Sequence, residues 1–142
     1  MLSDLTSNKT KQDNRSRILI IDDDPSILTT FRIALETFGH DAIGASNPSE
    51  ILAEAIANPF AAIVIDQFMP SLTGSQFVKQ LRGAGITTPV LLMSASAISA
   101  EESAAVEFQD VVFEPKPILP SRFRELVSGL LTDSTNDPND RM

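Results

Sequence analysis

The chain has no cysteine and a single histidine among its 142 residues. Without cysteine there is neither a disulfide framework nor a thiolate metal site. With His40 alone there is no imidazole metal cluster, and its place beside Gly39 reads as a surface turn. Basic charge is also scarce. Eleven Lys and Arg stand against 19 Asp and Glu, a formal charge of −8. That balance argues against a surface built to neutralise nucleic-acid phosphates. No apolar run approaches the roughly 18 residues of a membrane-spanning helix. The polar N-terminus lacks the apolar core of a signal peptide, so the cytoplasm is the default compartment. What is present, 42% hydrophobic and 21% charged residues, suits one soluble globular domain large enough for a full core.

Short apolar runs punctuate the chain, and four of them end in polar groups. Ile18–Ile21 runs into Asp22-Asp23-Asp24, and Ala61–Ile65 into Asp66. Pro89–Met93 runs into Ser94, and Val111–Phe113 into Glu114-Pro115-Lys116-Pro117. Their length and β-branched content read as buried strands. Asp41–Ala45 is a weaker one. Pro115 cannot donate to a ladder, which places the last strand at an edge.

Helical patterns lie between the strands. After Asp24 as cap and Pro25, residues Ile27, Leu28, Phe31, Ala34, Leu35 and Phe38 recur at three- and four-residue spacing, and Gly39 ends them. Asn47-Pro48 opens a second helix with Ile51, Leu52, Ala55 and Ile56 inward. A third, from about Gly74 to Arg82, carries Phe77, Val78 and Leu81. An Ala- and Glu-rich fourth surrounds Ser99–Phe108. The last starts near Pro120 and buries Phe123, Leu126, Val127 and Leu130. Residues 1–16 and 132–142 are polar and aperiodic, expected as disordered tails around one domain over 17–131.

Strand and helix alternate five times. That implies a parallel sheet with helices on both faces, because parallel neighbours need crossover connections. Right-handed crossovers bring the strand C-termini to one edge, where open α/β sheets place their chemistry. Asp22, Asp23, Asp66, Ser94 and Lys116 would meet there. Singly, each has a plainer reading. Asp66 is a turn residue, the Asp22–Asp24 cluster complements a helix dipole, Ser94 is a turn residue and Lys116 is solvated. Together they are more specific. Three carboxylates at close range repel unless a cation sits among them, and Mg²⁺ suits such an oxygen set. With Lys116 and the Ser94 hydroxyl they make a kit for phosphoryl transfer.

Four pieces, in this order, resemble one family. They are Ile-Ile-Asp-Asp-Asp-Pro at 20–25, Ile-Asp-Gln-Phe-Met-Pro at 65–70 with Gly74, Met-Ser-Ala at 93–95, and Phe-Glu-Pro-Lys-Pro at 113–117. From Arg17 to about Leu131 the chain resembles the receiver domain of two-component response regulators. The resemblance implies a flavodoxin-like three-layer α/β fold with five helices and a five-stranded parallel sheet in the order 2-1-3-4-5. It implies that Asp66 accepts a phosphoryl group from a histidine kinase or a histidine phosphotransfer protein. Asp23 and Asp66 would ligate Mg²⁺ directly, Asp22 through water, and Phe68 through its backbone carbonyl. Lys116 would contact the phosphoryl group, and Ser94 and Phe113 would shift together on activation. The Lys116–Pro117 bond matches one that is cis in the family. The output surface would be the helix around 99–108, the last strand and the last helix, met by a downstream protein, with the chain a monomer or a phosphorylation-dependent dimer. Such a domain assists its own phosphorylation and dephosphorylation and is not otherwise an enzyme.

The chain departs from the family pattern at Phe68, bulky beside the phosphoryl position, and at Pro115 just before the lysine. It departs again at Glu107-Phe108-Gln109, where a glycine is usual, and at Leu119, where a cap is expected. Two other readings compete. A Mg²⁺-dependent phosphohydrolase of haloacid-dehalogenase type could use Asp22 and Asp24, but it leaves Asp66 idle and lacks an acid pair after the lysine. A pseudo-receiver, a pure interaction module, would have a broken acid set. With no output domain after residue 131, the expectation is a stand-alone adaptor or phosphorelay intermediate, with an excised fragment of a larger regulator as the alternative.

Overall fold

The structure is a computed structural model that describes residues 16–95 and 110–135. In chain order the elements are β1 (Arg17–Ile21), α1 (Pro25–Thr37), β2 (Asp41–Ala45), α2 (Pro48–Ala57), β3 (Ala62–Asp66), α3 (Gly74–Gly83), β4 (Val90–Ser94), β5 (Val111–Pro115) and α4 (Pro120–Thr135). The five strands form one parallel sheet in the order β2-β1-β3-β4-β5, as expected. Four helices are seen among the described residues rather than five. The one expected around Ser99–Phe108 lies outside those residues. The last helix reaches Thr135, four residues past the domain end drawn at Leu131.

Alternation along the strands sorts the core into two layers. Ile18, Ile20, Val64, Leu91 and Met93 face one side, where α1 and α4 bring Phe31, Leu35, Phe123 and Val127. Leu19, Ile21, Ile63, Ile65 and Leu92 face the other, where α2 and α3 bring Ala55, Phe77, Val78 and Leu81. Successive residues of a strand point to opposite faces, so a strand covered on both sides must be apolar throughout. β3 and β4 are buried along their whole length. Phe31 and Phe123 stack with centroids 4.0 Å apart, adding about 0.5–1.5 kcal/mol to the area they bury.

The caps follow the local chemistry. Asp24 and Asn47 accept from Ser26 N and Ser49 N, with Pro25 and Pro48 just inside their helices. Gly39, at φ 86°, closes α1: its N–H bonds Glu36 O while His40 N–H bonds Leu35 O, a Schellman pair. Phe38 is a correction to the expected apolar stripe. It is 45% exposed and lies under the Arg124 guanidinium, 4.3 Å from its centroid. Leu119 offers no side-chain cap, and α4 begins with its carbonyl accepting from Phe123 N. β5 lies at an edge, as its proline requires.

Candidate functional site

β1 and β3 are adjacent and in register, Ile21 beside Ile65. The next residue of each is an aspartate, so Asp22 and Asp66 leave the sheet side by side. Asp22 N–H still pairs with Ala45 O of β2 at 3.1 Å. Its carboxylate accepts Asp24 N–H at 2.9 Å, a local turn that directs Asp23 to the surface. Asp22 and Asp66 are buried and Asp23 is exposed, with one oxygen of each within 4.8 Å of the others.

Lys116 joins this cluster from the far edge of the sheet. Its N–H bonds Ser94 O at 2.7 Å, which extends the β4–β5 pairing by one step. The Lys116–Pro117 bond that follows is cis. The ammonium lies 3.1 Å from Asp22 Oδ2 and 3.2 Å from Asp66 Oδ2. Ser94 is buried at the end of β4, and among the described residues no buried side-chain polar atom lacks a partner. Phe113 is half-buried against the α2–α3 side of the core.

Burial pushes the Asp22 carboxyl above its ordinary range, against the Asp24 N–H and the Lys116 ammonium. Burial also works against the charge on Lys116, yet Asp22 and Asp66 outweigh it and hold the ammonium above a lysine's usual value. Three carboxylates and one ammonium leave two negative charges when all are ionised. A compact, all-oxygen donor set with that deficit and one exposed member fits a hard divalent cation that keeps part of its water shell.

The loop after Asp66 is pinned by groups whose part is not evident from the strand-end pattern. Gln67 is buried, and its Oε1 accepts both Ser75 N at 2.9 Å and Ser75 Oγ at 2.8 Å. Thr73 and Gln76 form a capping box, and the Thr-x-x-Gln spacing is its sequence signal. Gly74 is required by close approach. A Cβ there would lie 2.8 Å from Asp66 O and 2.5 Å from Leu92 Cδ1. The Phe68 ring is 47% exposed rather than packed into the core. Ser96, two residues beyond Ser94, lies outside the described residues.

A five-stranded parallel sheet of this order, with carboxylates where the strand order reverses, defines a CheY-like α/β domain. The chain belongs to the response regulator receiver domain family, whose model matches residues 18–128. It is 31% identical over 118 residues to the alkaline phosphatase synthesis transcriptional regulatory protein PhoP of Bacillus subtilis, covering 83% of this chain and 49% of that protein. It is 33% identical over 90 residues to the transcriptional regulatory protein KdpE of Mycobacterium tuberculosis, covering 63% of this chain and 39% of that one. The chain thus spans about half the length or less of these curated relatives. Among solved structures it is similar to the receiver domain of the Francisella response regulator 1452, with a TM-score of 0.75 and 28% identity over 85% of this chain and 100% of that one. It is also similar to a CheY-like receiver domain protein of Methanospirillum hungatei, with a TM-score of 0.77 and 25% identity over 85% and 97% of the two chains. The phosphohydrolase and pseudo-receiver readings are not favoured. Asp66 is paired with Lys116, and Asp22, Asp23 and Asp66 stand together.

Proposed function

We propose that this receiver domain is a phosphoacceptor and that Asp66 takes a phosphoryl group from a phosphohistidine of a histidine kinase or phosphotransfer protein. The observation that carries the reading is Lys116, whose ammonium ties Asp22 and Asp66 into one cluster with Asp23 beside them. An Asp66 carboxylate oxygen attacks phosphorus, the P–N bond to the donor imidazole breaks, and the leaving nitrogen keeps the electron pair. Lys116, already 3.2 Å from Asp66 Oδ2, pairs with a phosphoryl oxygen as charge moves onto it. The Ser94 hydroxyl donates to a second. Asp23 and Asp66 would hold Mg²⁺ directly, Asp22 through water and Phe68 through its carbonyl. When bound, Mg²⁺ neutralises charge on the transferring oxygens.

In this reading the phosphoryl group also sets the output. Ser94 and Phe113 lie one strand apart, at the end of β4 and in β5, and shift together when Ser94 reorients toward it. That biases a face including β5 and α4 toward a downstream protein, a local charge event read out as a two-state change. The domain acts in signalling and assists its own phosphorylation and dephosphorylation. PhoP and KdpE are named transcriptional regulatory proteins; at a charge of −8 this domain is read as meeting proteins rather than nucleic acid. No helix of the described residues is long and apolar enough to cross a membrane, and the proposed setting is the cytoplasm.

The test is intact mass after incubation with acetyl phosphate and Mg²⁺. One phosphoryl group is expected on the wild type and none on Asp66→Ala. Equal labelling of the two would remove Asp66 as acceptor.

A further inference from the structure

The loop between β3 and α3 holds a strained residue that the phosphoacceptor chemistry does not itself use. Ser71 has φ 72°, and Leu72 N–H bonds Pro70 O across it at 2.9 Å. A three-residue turn with a central positive φ is the rare, strained form of the γ-turn. A serine pays for its Cβ in that region, where glycine does not. Such conformations persist only when their surroundings over-determine them.

Here the surroundings belong to a different element. Ser71 Oγ donates to Asn47 Oδ1 at 3.3 Å and lies 3.0 Å from Ser49 Oγ. In the contact between the two hydroxyls either oxygen can donate. Asn47 Oδ1 also takes Ser49 N–H at 3.0 Å, which caps α2. Three polar groups therefore latch the middle of the loop to the start of α2. The two ends of the loop are held separately, by Gln67 with Ser75 and by the Thr73–Gln76 box. Phe68 to Pro70 lie between the first anchor and the latch, and Phe68 carries the carbonyl read above as a metal ligand.

We propose that Ser71 is a positioning residue: its bonds to Asn47 and Ser49 hold the strained turn and so fix the Phe68 carbonyl at the cation site. This rests on the reading of Asp23, Asp66 and Phe68 as ligands of Mg²⁺. Mg²⁺ demands near-ideal octahedral geometry, whereas Ca²⁺ accepts variable geometry and coordination number. A loosened carbonyl therefore weakens Mg²⁺ more than Ca²⁺, a preference that general destabilisation does not produce.

The experiment is calorimetric titration of unphosphorylated protein with Mg²⁺ and, separately, Ca²⁺, alongside metal-free thermal melts. The proteins are wild type, Ser71→Gly, Ser49→Ala, the double variant and Asp23→Asn. Ser71→Gly keeps positive φ accessible and deletes the hydroxyl. Its metal-free Tm is expected to equal or exceed that of wild type, while Mg²⁺ affinity falls about tenfold, the low end of what outer-shell partners contribute, and Ca²⁺ affinity falls less. Ser49→Ala, on α2, should move the ratio the same way, and the double variant should fall short of the sum, because the two act as one latch. If Asp23→Asn binds Mg²⁺ like wild type, the ligand reading fails and the latch proposal with it. If Asp23→Asn is weakened but Ser71→Gly keeps the wild-type Mg²⁺ to Ca²⁺ ratio, the latch proposal alone is overturned.

Discussion

Cationic side chains sit at both ends of the sheet, and the two ends treat them differently. At the N-terminal edge of the strands, Arg17 donates to Asn58 O and Pro59 O and lies 4.2 Å over the Phe60 ring. Arg82 donates to Ile86 O and Thr88 O, both at 2.9 Å. Most of these partners are carbonyls and a π face, with Glu54 3.9 Å from Arg17 and the Asp110 charge acting on Arg82, and the bonds tie loops together. At the C-terminal edge Lys116 meets two buried carboxylates with a third beside them. At the first end single cations meet mostly carbonyls, while the other keeps an excess of negative charge that a cation would neutralise. A buried charge alone says little about function, since burial lowers the Arg82 pKa too. The imbalance around it is the informative quantity.

The largest expected effect comes from removing a cation at each end. Lys116→Met leaves Asp22 and Asp66 buried without a counter-charge, at a cost of up to about 3–5 kcal/mol in metal-free protein. It also slows phosphoryl uptake by about 10²-fold or more, as for loss of an oxyanion donor. Arg82→Met orphans two carbonyls, costs about 1–3 kcal/mol, and leaves uptake unchanged. Chemical denaturation with a timed acetyl phosphate assay separates the two; equal uptake defects would erase the distinction between the ends.

Metal linkage sharpens the contrast. Mg²⁺ at a hundred times its Kd should stabilise the wild type by about 2.7 kcal/mol. Asp23→Asn should lose most of that gain, and Arg82→Met should keep it. Thermal melts across a Mg²⁺ titration read this directly, and coincident curves for wild type and Asp23→Asn would mean the site is misassigned.

Glycines at the two ends should differ in sign. Gly74→Ala sets a methyl against Asp66 O and Leu92, an overpacking cost of about 1–3 kcal/mol. Gly83→Ala meets nothing within 4 Å and is expected to gain about 0.4–1 kcal/mol through the unfolded chain. Urea midpoints check both.

A smaller effect concerns pH. The folded pKa of Asp22 is raised above its ordinary 3.8, chiefly by burial. Protonation therefore favours the folded state. In metal-free protein the cost of ionising Asp22 is present above its raised pKa and is relieved as pH falls through that value toward 3.8. Asp22→Asn should flatten this part of the stability profile, and an unchanged slope would show that Asp22 is not its source.

The smallest effect is on lifetime. The half-exposed Phe68 ring cannot orient a water by hydrogen bonding and can exclude one from the line of attack. Phe68→Asn should lose its phosphoryl group severalfold faster at equal Mg²⁺ and pH. Equal decay, or faster decay of the wild type, would remove Phe68 from hydrolysis while leaving Asp66 as acceptor.

Most of this architecture is legible in the chain. Strands buried on both faces, as β1, β3 and β4 are, must be apolar runs, and with two weaker edge strands and helical patterns between them they allow few sheets. The polar strand ends follow from the same pattern, because parallel strands share one edge. Phe38 shows a limit of periodicity: its spacing fits the buried stripe, but α1 ends there and its ring meets Arg124 at the surface. Gln67 and Ser75 show another. Their pairing closes a loop whose ends are eight residues apart, and composition does not reveal which polar groups in such a loop turn inward. The Ser71 latch is further from view, since it joins residues 22 and 24 positions apart and depends on a backbone angle.

The most direct test of the phosphoacceptor assignment is where the phosphoryl group sits. Protein labelled with acetyl phosphate and Mg²⁺ is reduced with borohydride, which converts an aspartyl phosphate to the alcohol, and is then mapped by peptide mass. Conversion at Asp66 alone is the expected result. Conversion at Asp22 or Asp23, or a reduction-resistant phosphate on Ser94, would contradict it.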